Sequence, residues 1–233
     1  MVYKYMPWLQ SLLFPPQCRL CGVTTGSVLR LCSRCLADSP WIRNACTQCS
    51  IPLPAQVQDH RCGQCQRRPP AFDTTTALFH YRPPVDYLIK QLKFANELAI
   101  APLLATLISA RLTTRAATLP SLLLPVPLHQ TRLRERGFNQ ATELARRVGR
   151  ELGIRSDHRL CKRNRHTPPQ SLLSPNARRL NLRNAFSVRG SLSGHVAIID
   201  DVMTTGHTGN ELARVLKQAG AERVEMWVIA RAG

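Results

Sequence analysis

The sequence predicts an α/β fold in which a parallel sheet carries helices on both faces, preceded by a small cysteine-rich module. Short apolar runs rich in β-branched residues alternate with helical patterns across residues 69–233, as in chains built from strand–helix–strand units. Eight of the nine cysteines lie in residues 18–65, where they form four Cys-x-x-Cys pairs. We therefore expect two domains, at residues 1–68 and 69–233.

The cysteine pairs have the spacing of zinc knuckles, because the two thiolates of a Cys-x-x-Cys pair can reach one metal ion. Gaps of 10, 10 and 12 residues separate the pairs, and two pairs complete a tetrahedral four-cysteine site. One or two structural zinc ions are expected, with sequential or crossed pairing of the knuckles. The expected ligands are Cys18, Cys21, Cys32, Cys35, Cys46, Cys49, Cys62 and Cys65. We expect no signal peptide, which disfavours a disulfide scaffold.

The first elements of the sheet domain are a strand and two helices. Residues 74–81 are rich in threonine and aromatic side chains and predict the strand. A helical period follows from Val85 to Leu92 and places Lys93 off the apolar face. Residues 97–113 are apolar on almost every side, which predicts a buried helix.

The middle of the chain predicts a second strand and a basic loop. Residues 121–129 form an apolar run that ends in prolines, and the loop that we expect after it contains Arg132 and Arg136. A helix is expected from Gly137 onward, and residues 222–230 predict the last strand. Basic groups would then lie at the carboxyl end of a strand, where open α/β sheets bind ligands.

Residues 196–208 (VAIIDDVMTTGHT) have the parts of a site for a sugar phosphate. A buried strand leads into Asp200 and Asp201, and a loop of small and hydroxyl residues then opens into a helix. Backbone N–H groups at a helix N-terminus bind phosphate, and carboxylates accept hydrogen bonds from sugar hydroxyls or hold a divalent cation. The expected phosphate-binding residues are Thr204, Thr205, Gly206, His207 and Thr208.

The charge of the chain is strongly positive and unevenly distributed. Lys and Arg number 32 against 14 Asp and Glu, a formal charge of +18. Residues 111–189 contain 17 basic and 4 acidic residues, which suits polyphosphates or a nucleic-acid backbone. Within this third of the chain, residues 163–183, including Arg165 and Arg178, predict a mobile lid over an anionic substrate. A merely solvated basic face is the alternative.

No run in the sequence reaches the ~18 apolar residues that a spanning helix needs. Residues 1–14 are amphipathic and precede two prolines. We expect a short helix that packs on the cysteine-rich module, and peripheral contact with a membrane surface is the alternative.

Five segments together resemble the ComF family of competence and DNA-utilisation proteins, which includes the GntX-type members. The segments are the cysteine-rich module, residues 88–94 (LIKQLKF), residues 125–129 (PVPLH), residues 136–140 (RGFNQ) and the 196–208 stretch. The resemblance runs from about residue 9 to residue 231. It implies a double zinc ribbon followed by a type I phosphoribosyltransferase fold. It also implies a cytoplasmic protein, with peripheral contact at the inner membrane as the alternative.

The 196–208 stretch also resembles the signature for 5-phosphoribosyl-1-pyrophosphate (PRPP) in type I phosphoribosyltransferases. This resemblance places Asp200 and Asp201, the expected catalytic residues, on the ribose hydroxyls and the loop residues 204–208 on the 5′-phosphate. Mg²⁺ would accompany PRPP. The expected pyrophosphate and lid residues are Lys93, Arg132, Arg136, Arg165 and Arg178.

Two classes of function follow from these observations. In the first, the protein binds PRPP or ribose 5-phosphate together with single-stranded DNA, and a DNA-uptake helicase or another competence protein is a partner. In the second, it is an active Mg²⁺-dependent phosphoribosyltransferase of nucleotide salvage. We expect residues 71–113 or the zinc module to contribute any surface that contacts the acceptor.

Overall fold

A computed structural model of the protein describes residues 15–27, 29–54, 60–115, 118–165 and 184–233. Its centre is a five-stranded parallel sheet in the order β1-β7-β6-β2-β3, beside an antiparallel pair, β4-β5. The sheet strands are β1 Thr74–His80, β2 Leu122–Pro125, β3 Arg155–Ser156, β6 His195–Met203 and β7 Arg223–Arg231. The antiparallel pair is β4 Cys161–Arg163 and β5 Phe186–Val188.

Seven helices are present in the described part of the chain. They are α1 Ser33–Ala37, α2 Gly63–Arg67, α3 Val85–Phe94, α4 Ile100–Thr113, α5 Gln130–Arg136, α6 Gln140–Leu152 and α7 His207–Gln218. The apolar residues of α3, α4 and α6 form one buried cluster with one face of the sheet, while α7, β4 and β5 pack on the other. The predicted α/β sheet with helices on both faces is therefore confirmed.

The proline-rich segment after β2 differs from its prediction. The strand ends at Pro125, and the Val126 N–H still donates to the Ile199 carbonyl of β6 at 3.0 Å, but Pro127 has no N–H with which to continue the ladder. Residues 130–136 were expected to be a loop, but they form the short helix α5. The imidazole Nδ1 of His129 caps this helix by accepting a hydrogen bond from the Thr131 N–H at 3.2 Å. The arginines of this segment are therefore held on a helix.

Strand β6 extends beyond its neighbour β2. The β2–β6 pairing ends where Pro125 lies opposite Ile199, whereas β6 stays paired with β7 as far as Met203 and Arg231. The last four residues of β6 thus have a neighbour in the sheet on one side only. Helices α6 and α7 leave β2 and β6 toward opposite faces, which is the arrangement that opens a crevice at the carboxyl ends of strands.

The cysteine-rich module packs against β1, the first strand of the sheet. The Ile42 N–H donates to the Leu78 carbonyl at 2.9 Å, and the His80 N–H donates to the Pro40 carbonyl at 2.8 Å. Between these bonds, the rings of Trp41 and Phe79 lie 4.4 Å apart. The outer side of β1 is therefore covered by residues 40–42.

Several sequence-based predictions fall outside the described residues. The N-terminal segment 1–14 does so, as do residues 166–183 of the expected lid. The division at residue 68 also stays a prediction. None of the helices in the described ranges combines the length and the apolarity that crossing a membrane requires.

Candidate functional site

The eight expected zinc ligands form two separate groups of four. One group is Cys18, Cys21, Cys32 and Cys35, and the other is Cys46, Cys49, Cys62 and Cys65. Within each group, all sulfur atoms lie within 4.8 Å of one another. Of the two pairings that the sequence left open, the structure has the sequential one, and both groups are consistent with a structural zinc site.

The protonation chemistry of both groups suits a metal cation. Burial opposes ionisation of Cys18, but hydrogen bonds from the backbone at Cys32, Cys21 and Leu20 outweigh it and lower the pKa to about 6. The same balance lowers the pKa of Cys46 to about 7. Burial raises the pKa of Cys49 to about 11. Four clustered thiols cannot all ionise without a compensating cation, and Zn²⁺ would supply that charge.

Asp201 is the buried member of the acidic pair in β6. Its side chain is only 3% exposed, and its Oδ2 lies 2.7 Å from the Nζ of Lys93 in the last turn of α3. The other carboxylate oxygen accepts a hydrogen bond from the Val202 N–H at 2.8 Å. The fold therefore brings Lys93 directly onto the acidic pair.

Asp200 has a different environment from its neighbour. It lines a small cradle together with residues 202–209, and its Oδ1 accepts from the Asp201 N–H at 2.9 Å. Its pKa is raised well above the ordinary value by burial and then by the adjacent Asp201, while Lys93 offsets only part of this. An ionised Asp200 is thus stabilised by a hydroxyl donor or a cation.

The cradle beside Asp200 has a volume of about 40 Å³ and joins the end of β6 to the start of α7. Gly206 makes the turn possible because its φ of +76° lies in the left-handed region. Thr204 and Thr205 are exposed, whereas His207 and Thr208 are half-buried in the first helical turn. The first amides of an α-helix have no intrahelical acceptor, so this turn can bind an anion.

Arg231, which the sequence did not single out, forms hydrogen bonds with the loop that lines the cradle. Its side chain is buried, and its Nε donates to the carbonyl of Cys49 at 3.0 Å. Its Nη1 donates to the carbonyls of Met203, at 3.3 Å, and Thr204. Arg231 thereby connects the second cysteine cluster to the loop between β6 and α7. No local pattern marks this contact, because it depends on the pairing of β7 with β6.

Residues 136–140 (RGFNQ) form the turn between α5 and α6. Gly137 ends α5 at a φ of +78°, and Asn139 caps α6 by accepting a hydrogen bond from the Ala141 N–H. The Asn139 amide also donates to the Val126 carbonyl at 3.0 Å, which fixes the turn to the end of β2. Arg136 donates to the Gln140 side-chain oxygen at 2.7 Å. The motif therefore holds the Arg136 guanidinium in one position.

A basic cavity of about 510 Å³ lies between α3 and α5. Its lining residues are Lys93, Phe94, Asn96, Arg132, Glu135 and Arg136. Burial lowers the pKa of Arg136, whereas the negative charge of Asp201 raises it. The guanidinium group therefore interacts electrostatically with the acidic pair. Three of the expected pyrophosphate residues are thus together.

Of the remaining two expected residues, the structure describes only Arg165. Arg165 is exposed just after β4, and Arg178 lies outside the described residues. A second cavity of about 720 Å³ separates β4 from the end of β2, with Arg163 and Asn139 among its lining residues. The role of residues 163–183 as a lid stays a prediction.

Comparison with known proteins adds to these findings. A model of the double zinc ribbon domain matches residues 9–66. The DNA utilization protein YhgH of Escherichia coli O157:H7 is 37% identical over 227 residues, which cover 94% of this chain and 99% of that protein. Competence protein F of Haemophilus influenzae is 36% identical over 213 residues, which cover 87% of this chain and 90% of that protein.

Among solved structures, adenine phosphoribosyltransferase from Leishmania tarentolae matches with a TM-score of 0.41 and 14% identity, over 67% of this chain and 91% of that one. The two bacterial relatives are far more similar in sequence and match nearly end to end. Their similarity includes both the zinc ribbon and the sheet domain. The chain therefore belongs to the ComF family of competence and DNA-utilisation proteins, as its motifs predicted.

Proposed function

We propose that the site at the end of β6 binds PRPP or ribose 5-phosphate with Mg²⁺, and that the basic surface around it binds single-stranded DNA. The observation that carries the proposal is that Asp200 lines the same cradle as the first turn of α7. A carboxylate and an anion-binding helix N-terminus side by side suit a sugar that carries a phosphate.

The size of the cradle supports a phosphate rather than a nucleobase as its occupant. At about 40 Å³ it is small, and it is lined by the loop and the first turn of α7. Thr204, Thr205 and Thr208 add hydroxyl donors to the backbone amides of this turn. We assign the 5′-phosphate to these residues.

The two aspartates have different roles in this proposal. Lys93 already compensates the charge of Asp201, so Asp201 positions Lys93 and the end of β6. Among the described residues no salt bridge to Asp200 is present, and its raised pKa favours a hydroxyl donor or a metal. We therefore assign the ribose hydroxyls to Asp200, which is also a candidate ligand for Mg²⁺. The metal would supply positive charge against the pyrophosphate oxygens.

A second candidate function is transfer of the ribose phosphate to an acceptor. It is favoured by the three cations around the 510 Å³ cavity, which adjoins the acidic pair through Lys93. Arg132 and Arg136 would stabilise the charge that develops on departing pyrophosphate. Positioning and electrostatics would then provide most of the catalysis.

The DNA part of the proposal depends on charge and on family membership. Of the net charge of +18, residues 111–189 contribute 17 basic against 4 acidic residues. The bacterial relatives are described as a DNA utilization protein and a competence protein. A helicase or another competence protein is a partner that this role would require, and the zinc ribbon is the module we assign to it.

The test is a thermal unfolding titration with PRPP and Mg²⁺. If PRPP binds, its saturation at about 100 times the dissociation constant raises the midpoint by roughly 5–10 °C for a chain of this size. Asp200→Asn combined with Asp201→Asn should abolish this shift. The matched control is Asp86→Asn with Glu222→Gln, which removes two carboxylates away from the site and should keep the shift.

Each variant is compared with its own unliganded midpoint, so that altered stability does not imitate altered binding. No shift in the wild type at millimolar PRPP would contradict the proposal. Retention of the shift in the double Asp variant would move the binding site away from β6. Appearance of free pyrophosphate after addition of candidate acceptors would establish the second candidate function.

A further inference from the structure

Phe94 is the most exposed of the large apolar side chains in the described residues. Its relative exposure is 73%, although the aliphatic residues of α3, from Val85 to Leu92, are buried at 3% or less. It is the last residue of the helix and directly follows Lys93, whose ammonium contacts Asp201. The ring is therefore largely in solvent and shares a cavity with Lys93, whose ammonium contacts the acidic pair.

The surroundings of Phe94 are cationic. The guanidinium carbon of Arg136 lies 5.4 Å from the ring centroid, within the range of a cation–π contact. Arg136 is itself held by Gln140 at 2.7 Å. Arg132 and Lys93 complete the basic lining of the 510 Å³ cavity, and Glu135 is the one acidic residue among those that line it.

This combination indicates which kind of ligand the cavity accepts. An apolar helix or strand would cover the Arg132 and Arg136 guanidinium groups without offering them a counter-charge, which costs free energy. A free inorganic anion would leave the exposed ring unused. A nucleotide unit matches both features, because its base stacks on an aromatic face and its phosphate pairs with arginine.

We propose that the cavity between α3 and α5 is a nucleotide subsite in which Phe94 stacks on one nucleobase and Arg132 and Arg136 bind its phosphate. This inference deepens the proposed nucleic-acid binding and rests on it. The base and phosphate come either from a single strand or from a mononucleotide. In both cases the subsite includes Lys93, which links the cavity to Asp201.

The test compares an oligothymidylate with an abasic deoxyribose-phosphate strand of the same length. Both carry the same phosphates, so the ratio of their affinities measures stacking alone. We expect the wild type to prefer the oligothymidylate by about tenfold, within the range found for one base on one aromatic ring. Phe94→Ala and Phe94→Leu should remove this preference, whereas Phe94→Tyr should keep it.

Tyr87→Ala is the matched control, because Tyr87 is a 51% exposed aromatic on the same helix outside the cavity. It should leave the preference unchanged. Since Phe94 is so exposed, its variants should unfold at the wild-type midpoint, which a thermal scan verifies. Thymidine monophosphate is titrated in parallel, and Phe94-dependent binding of it alone would identify a mononucleotide as the source.

The remaining outcomes separate the subsite from the function on which it rests. Equal affinity of the wild type for both strands would overturn the subsite and leave DNA binding intact. So would a preference that survives Phe94→Ala. If the wild type binds neither strand nor the mononucleotide, the subsite and the proposed DNA function are both overturned.

Discussion

Asp200 and Asp201 are adjacent in the chain but differ in what compensates their charge. Asp201 is buried, and its Oδ2 lies 2.7 Å from the Nζ of Lys93, whereas Asp200 lines the cradle. Burial and the neighbouring Asp201 raise the pKa of Asp200, because two close carboxylates resist ionising together. Without ligand, the charged form of Asp200 therefore destabilises the fold.

The first prediction concerns the pH dependence of this effect. A carboxyl group whose pKa is raised on folding stabilises the protein while it is protonated, and this stability is lost as pH rises through the folded pKa. Asp200→Asn should therefore unfold at a higher temperature than the wild type at neutral pH. The difference should vanish below the ordinary value of 3.8. Calorimetric scans from pH 3 to pH 8 measure it, and a lower midpoint for the variant at pH 7 would contradict it.

The second prediction concerns Lys93. Lys93→Met removes the cation but keeps the chain length, so Asp201 is left buried without a partner. The free energy of unfolding should fall by about 3–5 kcal/mol, as measured by urea denaturation. Adding Asp201→Asn should restore most of the loss. Lys90→Met is the control, since Lys90 pairs with Asp86 on the exposed side of the same helix. An equal loss in both single variants would refute the prediction.

Among the elements, those with local signals could be predicted from the sequence. The cysteine pairs, β6 with its loop and α7, and the buried helix α4 all follow from spacing or periodicity within a short window. The cradle was predictable for the same reason: its strand, acidic pair, glycine and helix are consecutive in the chain.

Features that depend on tertiary packing could not be predicted in this way. Helix α5 was missed because its sequence is short and mostly charged, and its cap is a histidine. The contact of Lys93 with Asp201 and the support of the loop by Arg231 join distant parts of the chain. No periodicity relates such residues, since sheet order and register bring them together.

The third prediction follows from the link between the second cysteine cluster and the loop. The wild type should contain two zinc ions per chain by atomic emission. Cys65→Ser should lose one ion and also weaken the PRPP-dependent thermal shift, because Arg231 bonds both Cys49 and the loop. Cys32→Ser in the first cluster is the control and should lose one ion with little effect on the shift.

Two results would contradict this prediction. A metal content well below two in the wild type would exclude two full zinc sites. An equal weakening of the thermal shift in both cysteine variants would show that Arg231 does not transmit the effect.

At the scale of the whole molecule, positive charge is concentrated in residues 111–189. The fourth prediction is that affinity for single-stranded DNA falls steeply with salt, with a log–log slope of about −0.7 per neutralised phosphate. Neutralising four arginines of the central basic region should reduce the slope by up to about 3. The residues to change to Gln are Arg163, Arg165, Arg178 and Arg179.

The control neutralises four exposed arginines outside residues 111–189. These are Arg34, Arg67, Arg68 and Arg82. Both variants lose the same net charge, so a difference between them reports where the strand lies. Salt-independent affinity, or equal slopes for the two variants, would contradict binding at the central basic region.

The packing of residues 40–42 on β1 has a further consequence for the fate of the metal-free chain. These residues satisfy backbone groups of a strand that would otherwise form an open border of the sheet. Unpaired strand borders recruit strands from other molecules and lead to aggregation. If the module unfolds without zinc, β1 is uncovered. Zinc depletion would then cause the sheet domain to self-associate through β1. Bound zinc would therefore prevent aggregation as well as stabilise the module.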